Sequence, residues 1–251
     1  MPRLIVTRPA RQAEAWLREL AARGVDAVAV PLLEIVAGDA AAIAAAWAGL
    51  AGKRLVVFVS ANAVDAFFAA RPAGAGWPAG VEAAAPGPGT AATLRAVGVD
   101  AALVVEPDAD AAPVDSEALW QRLRGRDLAG APVLIVRGDT GREWLGEQLA
   151  AAGAQVDHLA AYARRPARLS AAEQALVGAA AERPEDRVWL FSSAEAIDHL
   201  VAAFPGRWTA ARAIATHPRI AARARSAGFG RVFEVAPGLD AVVACIQSLR
   251  P

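Results

Sequence analysis

Several turns along the chain carry residues able to hold an anion. Thr7, Ser60, Thr90, Arg137, Ser192, Ser193 and Thr216 each fall where an apolar run gives way to a helix-spaced segment. A helix start presents unpaired backbone N–H groups and roughly half a positive charge, so hydroxyls and guanidinium groups there suit carboxylates or phosphates. Singly, each Ser or Thr reads at least as well as a helix cap. Their recurrence at one kind of position points to a ligand with several anionic groups.

The most unusual local sequence is Arg137-Gly138-Asp139-Thr140-Gly141-Arg142-Glu143. Its glycines could bring the backbone close to an anion while Arg137 and Arg142 supply charge; a tight, solvated turn accounts for the same residues equally well. Tyr162, the one tyrosine, lies in an extended stretch between two α/β segments. Such a residue is ordinarily an amphipathic packing group, but here it would project towards a cleft if two domains faced each other.

Other chemistries fit less well. Gly87-Pro88-Gly89-Thr90-Ala91-Ala92 satisfies a relaxed dinucleotide fingerprint, with Glu106 placed 19 residues after Gly87. The first strand's turn, where that fingerprint belongs, instead reads Thr7-Arg8-Pro9, and the later turn Thr216-His217-Pro218-Arg219 has neither glycine. Lys53 has no glycine-rich loop before a helix. His158, His199 and His217 lack ligand spacing, Cys245 stands alone, and no GxSxG elbow surrounds Ser60 or Ser193.

Length and composition leave room for the elements that must position these turns. The chain has 251 residues, 55% of them apolar, enough for one large domain or two of ordinary size. Its 26 basic and 26 acidic residues balance, so no global field points to nucleic acid or to a membrane surface. Lys53 is the only lysine, a bias that a GC-rich genome explains as well as function does. Cys245 sits in an apolar run and reads as a small buried hydrophobe. The start enters a strand directly, without a signal peptide or a membrane-length apolar run, and the expectation is a cytoplasmic protein.

The turns recur in a fixed order. Leu4-Ile5-Val6-Thr7-Arg8 is answered by Leu134-Ile135-Val136-Arg137-Gly138, the run from Phe58 to Asp65 by that from Phe191 to Asp198, and Pro88–Gly98 by Pro218–Gly228. The offsets are 130, 133 and 130 residues, which marks an internal duplication. Alternating strands and helices give five strands between two extended crossovers, near 31–36 and 158–166, and five outside them. The expected organisation is one doubly wound α/β domain, 36–157, inserted into another made of 1–35 and 167–251. In such sheets ligands bind beyond the carboxyl ends of the strands, where the repeated turns fall.

These residues resemble the uroporphyrinogen-III synthase family. The resemblance rests on Val6-Thr7-Arg8-Pro9, Pro31-Leu32-Leu33-Glu34-Ile35, Phe58-Val59-Ser60-Ala61-Asn62, Gly87-Pro88-Gly89-Thr90, Arg137-Gly138 with Gly141-Arg142-Glu143, Tyr162 with Arg164 and Arg165, and Phe191-Ser192-Ser193. Each is weak alone; the ordered set is specific and spans essentially the whole chain. It implies two flavodoxin-like domains joined by a two-stranded linker, a site in the cleft, and neither metal nor organic cofactor. The implied reaction removes water from hydroxymethylbilane and closes the macrocycle with its last ring inverted through a spiro intermediate. It also implies a cytoplasmic monomer that could receive its substrate from the upstream bilane-forming enzyme.

Carried over position by position, the resemblance makes Tyr162 a proton donor to the departing hydroxyl. It makes Thr7, Arg8, Ser60, Asn62, Gly87, Gly89, Thr90, Arg137, Gly138, Arg142, Ser192, Ser193, Thr216 and His217 the substrate-binding set. A threonine that the family often carries in the last such turn is replaced by Ile220, so that role does not transfer. The competing reading is a two-domain binding protein that closes on a small anion without chemistry.

Overall fold

The computed structural model describes residues 2–108, 115–206 and 208–249. The sequence over 106–115 reads as an acidic, proline-bearing loop, and most of it lies outside the described residues. Compact units comprise Met1–Glu34 with Arg165–Pro251, and Ile35–Arg164.

The chain opens with β1 (Arg3–Val6), α1 (Ala10–Ala22) and β2 (Ala27–Ala29), then passes through β3 (Leu33–Ala37). Next come α2 (Ala40–Ala48), β4 (Leu55–Phe58), α3 (Ala61–Ala69), β5 (Glu82–Ala84), α4 (Pro88–Ala96), β6 (Val104–Val105), α5 (Ser116–Leu123), β7 (Pro132–Gly138) and α6 (Trp144–Ala151). The long β8 (Gln155–Pro166) leads to α7 (Ala171–Glu182), β9 (Arg187–Phe191), α8 (Ala194–Ala203), β10 (Arg212–Ala215), α9 (Pro218–Ser226), β11 (Arg231–Glu234) and α10 (Leu239–Ser248).

The first unit's sheet runs β11-β10-β9-β1-β2, with every pairing parallel. Counted along the chain this is the order 2-1-3-4-5 of flavodoxin-like folds. The second sheet runs β3-β8-β7-β4-β5-β6. If β7 and β8 are taken as its first two strands, β8-β7-β4-β5-β6 is the same 2-1-3-4-5 order, circularly permuted. The repeat is thus physical: β1 answers β7, β4 answers β9 and α4 answers α9. Gly98 and Gly228 end those two helices at φ +96° and +93°, a left-handed conformation that glycine adopts without strain.

Both faces of each sheet are buried, which is why the central strands read as continuous apolar runs. Along β9, Trp189 and Phe191 face one core with Ile5, while Val188 and Leu190 face the other with Leu4 and Val6. Along β4, Val56 and Phe58 face one core, Leu55 and Val57 the other. Helices on both sides seal these layers.

The six-stranded sheet departs from the five strands expected because the crossovers join it. Residues 155–166 form one strand, and β3 pairs along its outer edge. Leu32 O accepts from Ala167 N at 3.2 Å and Gly38 N donates to Ala161 O at 2.9 Å; these contacts run in opposite chain directions, so the pair is antiparallel. Pro88 starts α4, its fixed φ and missing N–H being suited to the first helical position. Residues 101–103 form a 3-10 turn under the Asp100 cap, directly before the short β6. Cys245 is half-buried, not wholly inside, and desolvation raises its thiol.

Candidate functional site

In each unit the marked turns gather at the carboxyl ends of three adjacent strands. In the second unit β4 lies between β7 and β5, so the Ser60 turn is flanked by Arg137-Gly138 and by Gly87-Pro88-Gly89. In the first, β9 lies between β1 and β10, so Ser192-Ser193 is flanked by Thr7-Arg8 and by Thr216-His217.

Tyr162 is not an exposed linker residue. It is 1% exposed, packed in the core of the second unit among Phe58, Leu134 and Val136. A register shift between Arg137 and Gly138 sets Gly138 opposite Tyr162, where a Cβ on the glycine would stand 3.1 Å from the ring's Cζ. Gly138 is therefore the seat of the phenol. The Tyr162 hydroxyl meets Ser60 Oγ at 3.0 Å, and Ser60, half-buried at the N-cap of α3, also accepts from Ala63 N at 3.3 Å. Asn62 is half-buried in the first turn of α3.

The turn of α4 is built differently. Gly87 is its N-cap with no side-chain cap, Pro88 occupies the first position, and Thr90, 8% exposed, lies at the third. A Cβ on Gly89 would meet nothing within 4 Å. The helix start is open, with backbone N–H groups and the Thr90 hydroxyl free of a competing cap. In α9 the equivalent start is closed: His217 Nδ1 accepts from Arg219 N at 3.1 Å, and Ile220, 9% exposed, packs into the core where Thr90 stands in the other unit. The reverse holds one strand over. Ser60 caps α3, whereas the Ser193 hydroxyl does not cap α8.

Two threonines point inward. Thr7 is 1% exposed and donates to Leu190 O at 2.7 Å; Thr216 is 5% exposed with Oγ1 3.5 Å from Phe191 O. The Thr7 hydroxyl ties β1 to β9, and the Thr216 contact from β10 to β9 is a longer and weaker one. Arg8 brings a largely buried cation to the first unit's cluster. Its guanidinium carbon stands 4.2 Å over the Trp16 ring, its Nη1 donates to Gln12 at 3.3 Å, and its buried Nε has no partner. Burial lowers its pKa to about 10, so it stays charged at neutral pH. A desolvated cation with so little compensation favours an incoming carboxylate. The sequence reading missed Trp16, yet the i, i+4 spacing of Gln12 and Trp16 along α1 carries the signal.

In the second unit the arginines already have partners. Arg137 Nη1 bonds Glu143 Oε1 at 2.5 Å, and this contact pulls the Glu143 carboxyl below its ordinary range. Arg142 donates to Glu117 at 2.6 Å, which raises its guanidinium further. A ligand carboxylate reaches either arginine only by competing with these acids. Glu106, the acid that follows Gly87 at the dinucleotide-fingerprint spacing, pairs with Arg95. Among the described residues no cluster of His, Cys, Asp or Glu is placed to hold a metal ion, and no helix is long and apolar enough to cross a membrane.

Known proteins with similar sequences and folds share one description. Residues 14–244 match the family described as uroporphyrinogen-III synthase HemD. A uroporphyrinogen-III synthase of Salmonella typhimurium is 36% identical over 176 residues, 69% of this chain and 69% of that protein. The fold is shared with a mutant uroporphyrinogen III synthase from the extremely thermophilic bacterium Thermus thermophilus, at TM-score 0.63 and 17% identity over 99% of this chain and 98% of that one. It is shared too with uroporphyrinogen-III synthetase from Helicobacter pylori 26695, at TM-score 0.62 and 16% identity over the full length of both chains.

Proposed function

The chain belongs to the uroporphyrinogen-III synthase family, and from that premise we propose that it acts as a lyase on hydroxymethylbilane, removing water and closing the ring with its last pyrrole inverted. The observation that carries this reading is the pair of strand-end clusters, each offering helix starts, hydroxyls and arginine to a polycarboxylate. Thr90 with the open start of α4, Ser193 at the start of α8, and Arg8 bind substrate carboxylates. Backbone at Thr7, Gly87, Gly89, Gly138, Ser192, Thr216 and His217, together with Asn62, Arg137 and Arg142, completes the set. Tyr162 and Ser60 serve the departing hydroxyl.

Much of the rate gain comes from holding the bilane in one geometry, since the activated chain closes without inversion when left alone. That reactivity also favours a brief hand-over from the upstream bilane-forming enzyme to a monomer in the cytoplasm. The step needs no cofactor in this reading, because water is the only group lost.

The test is the isomer made. Hydroxymethylbilane incubated with the protein, then oxidised and separated, is expected to give isomer III; isomer I at the spontaneous rate overturns the assignment and leaves the anion-binding alternative. Arg8→Met is expected to raise KM about tenfold with kcat little changed, and to leave the melting temperature level or higher. A clear loss of stability in that variant would mean that Arg8 is structural.

A further inference from the structure

Either hydroxyl of the Ser60–Tyr162 pair could donate to the other, and the surroundings of each favour Tyr162 as the donor. A serine hydroxyl has two acceptor positions and one donor. Ala63 N–H occupies one acceptor position of Ser60 Oγ at 3.3 Å, and the Tyr162 hydroxyl, 3.0 Å away, occupies the other if it donates. The Ser60 proton then has no partner in this pair and is left for the half-buried outer side of the turn. Tyr162, at 1% exposure beneath Gly138, has no such outlet of its own.

We propose that Ser60 is the catalytic residue that touches the leaving oxygen, and that Tyr162 is the positioning residue behind it, the two forming a two-hydroxyl proton relay. This rests on the function proposed above. The bond from the hydroxymethyl carbon to its oxygen breaks, and the oxygen leaves with the electron pair. It takes the Ser60 proton to become water while Ser60 takes the Tyr162 proton. The substituted carbon of the last ring forms the first new C–C bond and has no hydrogen to shed. Its old C–C bond then breaks, the ring's unsubstituted α-carbon recloses the macrocycle, and the hydrogen lost from that carbon returns to the phenolate by the reverse route. Atoms and charge balance without a cofactor. The buried phenol keeps bulk water from resetting the pair midway.

A double-mutant cycle on the full chain, with hydroxymethylbilane as substrate and isomer III as the readout, tests the relay. Ser60→Ala and Tyr162→Phe are each expected to lower kcat about tenfold at little-changed KM. The double variant is expected to be no slower than Ser60→Ala alone, because both changes break one path. Ser60→Thr is expected to recover most of the loss. Turnover against deuterium fraction should bow in the parent protein, where two protons move together, and fall on a straight line in Tyr162→Phe. A capping defect alone would lower the melting temperature and leave that curve unchanged. Losses that multiply in the double variant, or a bowed curve that survives Tyr162→Phe, overturn the relay while the function stands. A parent protein that makes only isomer I removes both.

Discussion

Gly38→Ala is expected to destabilise the protein by about 3 kcal/mol, read as a fall in the urea midpoint, an effect at the upper end of single substitutions. Gly38 follows β3, and its N–H bonds Ala161 O at 2.9 Å. A Cβ there would stand 2.7 Å from Ala161 C and 2.8 Å from Ala161 O, and closer still to Ala160 O. All three atoms are backbone of β8, which is held on its other side by β7 through a ladder from Gln155 to Tyr162. No side chain can swing aside, so either β3 lifts off its partner or β8 shifts and drags Tyr162 with it. The φ of Gly38 is not in the left-handed region, so contact alone sets the cost. Gly52→Ala, where a Cβ would meet nothing within 4 Å, is the control and should change stability by less than about 1 kcal/mol. Equal midpoints for the two variants would mean that β3 does not pack on β8 as described.

Gly38 also marks where local pattern stops being informative. The framework could be read from the chain because the strands buried on both faces are unbroken apolar runs, as in Leu55-Val56-Val57-Phe58 and Val188-Trp189-Leu190-Phe191. The ordered repeats identified β1 with β7 and β4 with β9 from residues alone, and the 2-1-3-4-5 order in both sheets is the physical form of that match. The extent of β8 was hidden because its burial mixes edge and core positions along twelve residues, and neither a clean alternation nor a continuous run appears.

The site was legible as a set of turns and illegible as a set of orientations. Tyr162 was recognisable as chemically singular. Its inward direction depends on the register shift at Arg137/Gly138, a relation between two strands that neither strand's sequence records. Thr7 looked like a ligand-facing hydroxyl, yet its donor reaches Leu190 O, 183 positions away in sequence. The acids that occupy Arg137 and Arg142 were missed for different reasons. Glu143 is close in sequence, in a turn that fits an anion-binding and a solvated reading equally well, whereas Glu117 lies 25 positions from Arg142 and only the packing of α5 near α6 joins them.

Thr90→Ile is expected to lower kcat/KM for isomer III formation about a hundredfold while leaving the melting temperature within a few degrees, the size of loss seen when one positioned donor to developing or ligand charge is removed. The duplication supplies the reason the fold should tolerate it. Thr90 and Ile220 occupy the third position of equivalent helices at 8% and 9% exposure, and Ile220 already packs there against the first unit's core. What differs is the helix start. His217 closes α9 through Arg219 N, whereas Gly87, Pro88 and Gly89 leave α4 uncapped, so the Thr90 hydroxyl stands beside free N–H groups. Isoleucine keeps the backbone donors and puts an ethyl group in place of the hydroxyl, the larger side chain that the equivalent position of α9 already holds. The reciprocal Ile220→Thr should gain little, because the His217 cap remains in its way and a hydroxyl replaces an ethyl group packed in the core. If Thr90→Ile kept parent kcat/KM, the Thr90 hydroxyl would drop out of the second unit's binding set and the other members of that set would carry its contribution. If Ile220→Thr instead raised it, the His217 cap would have to open on binding, and the asymmetry between the two helix starts would be a property of the free protein only.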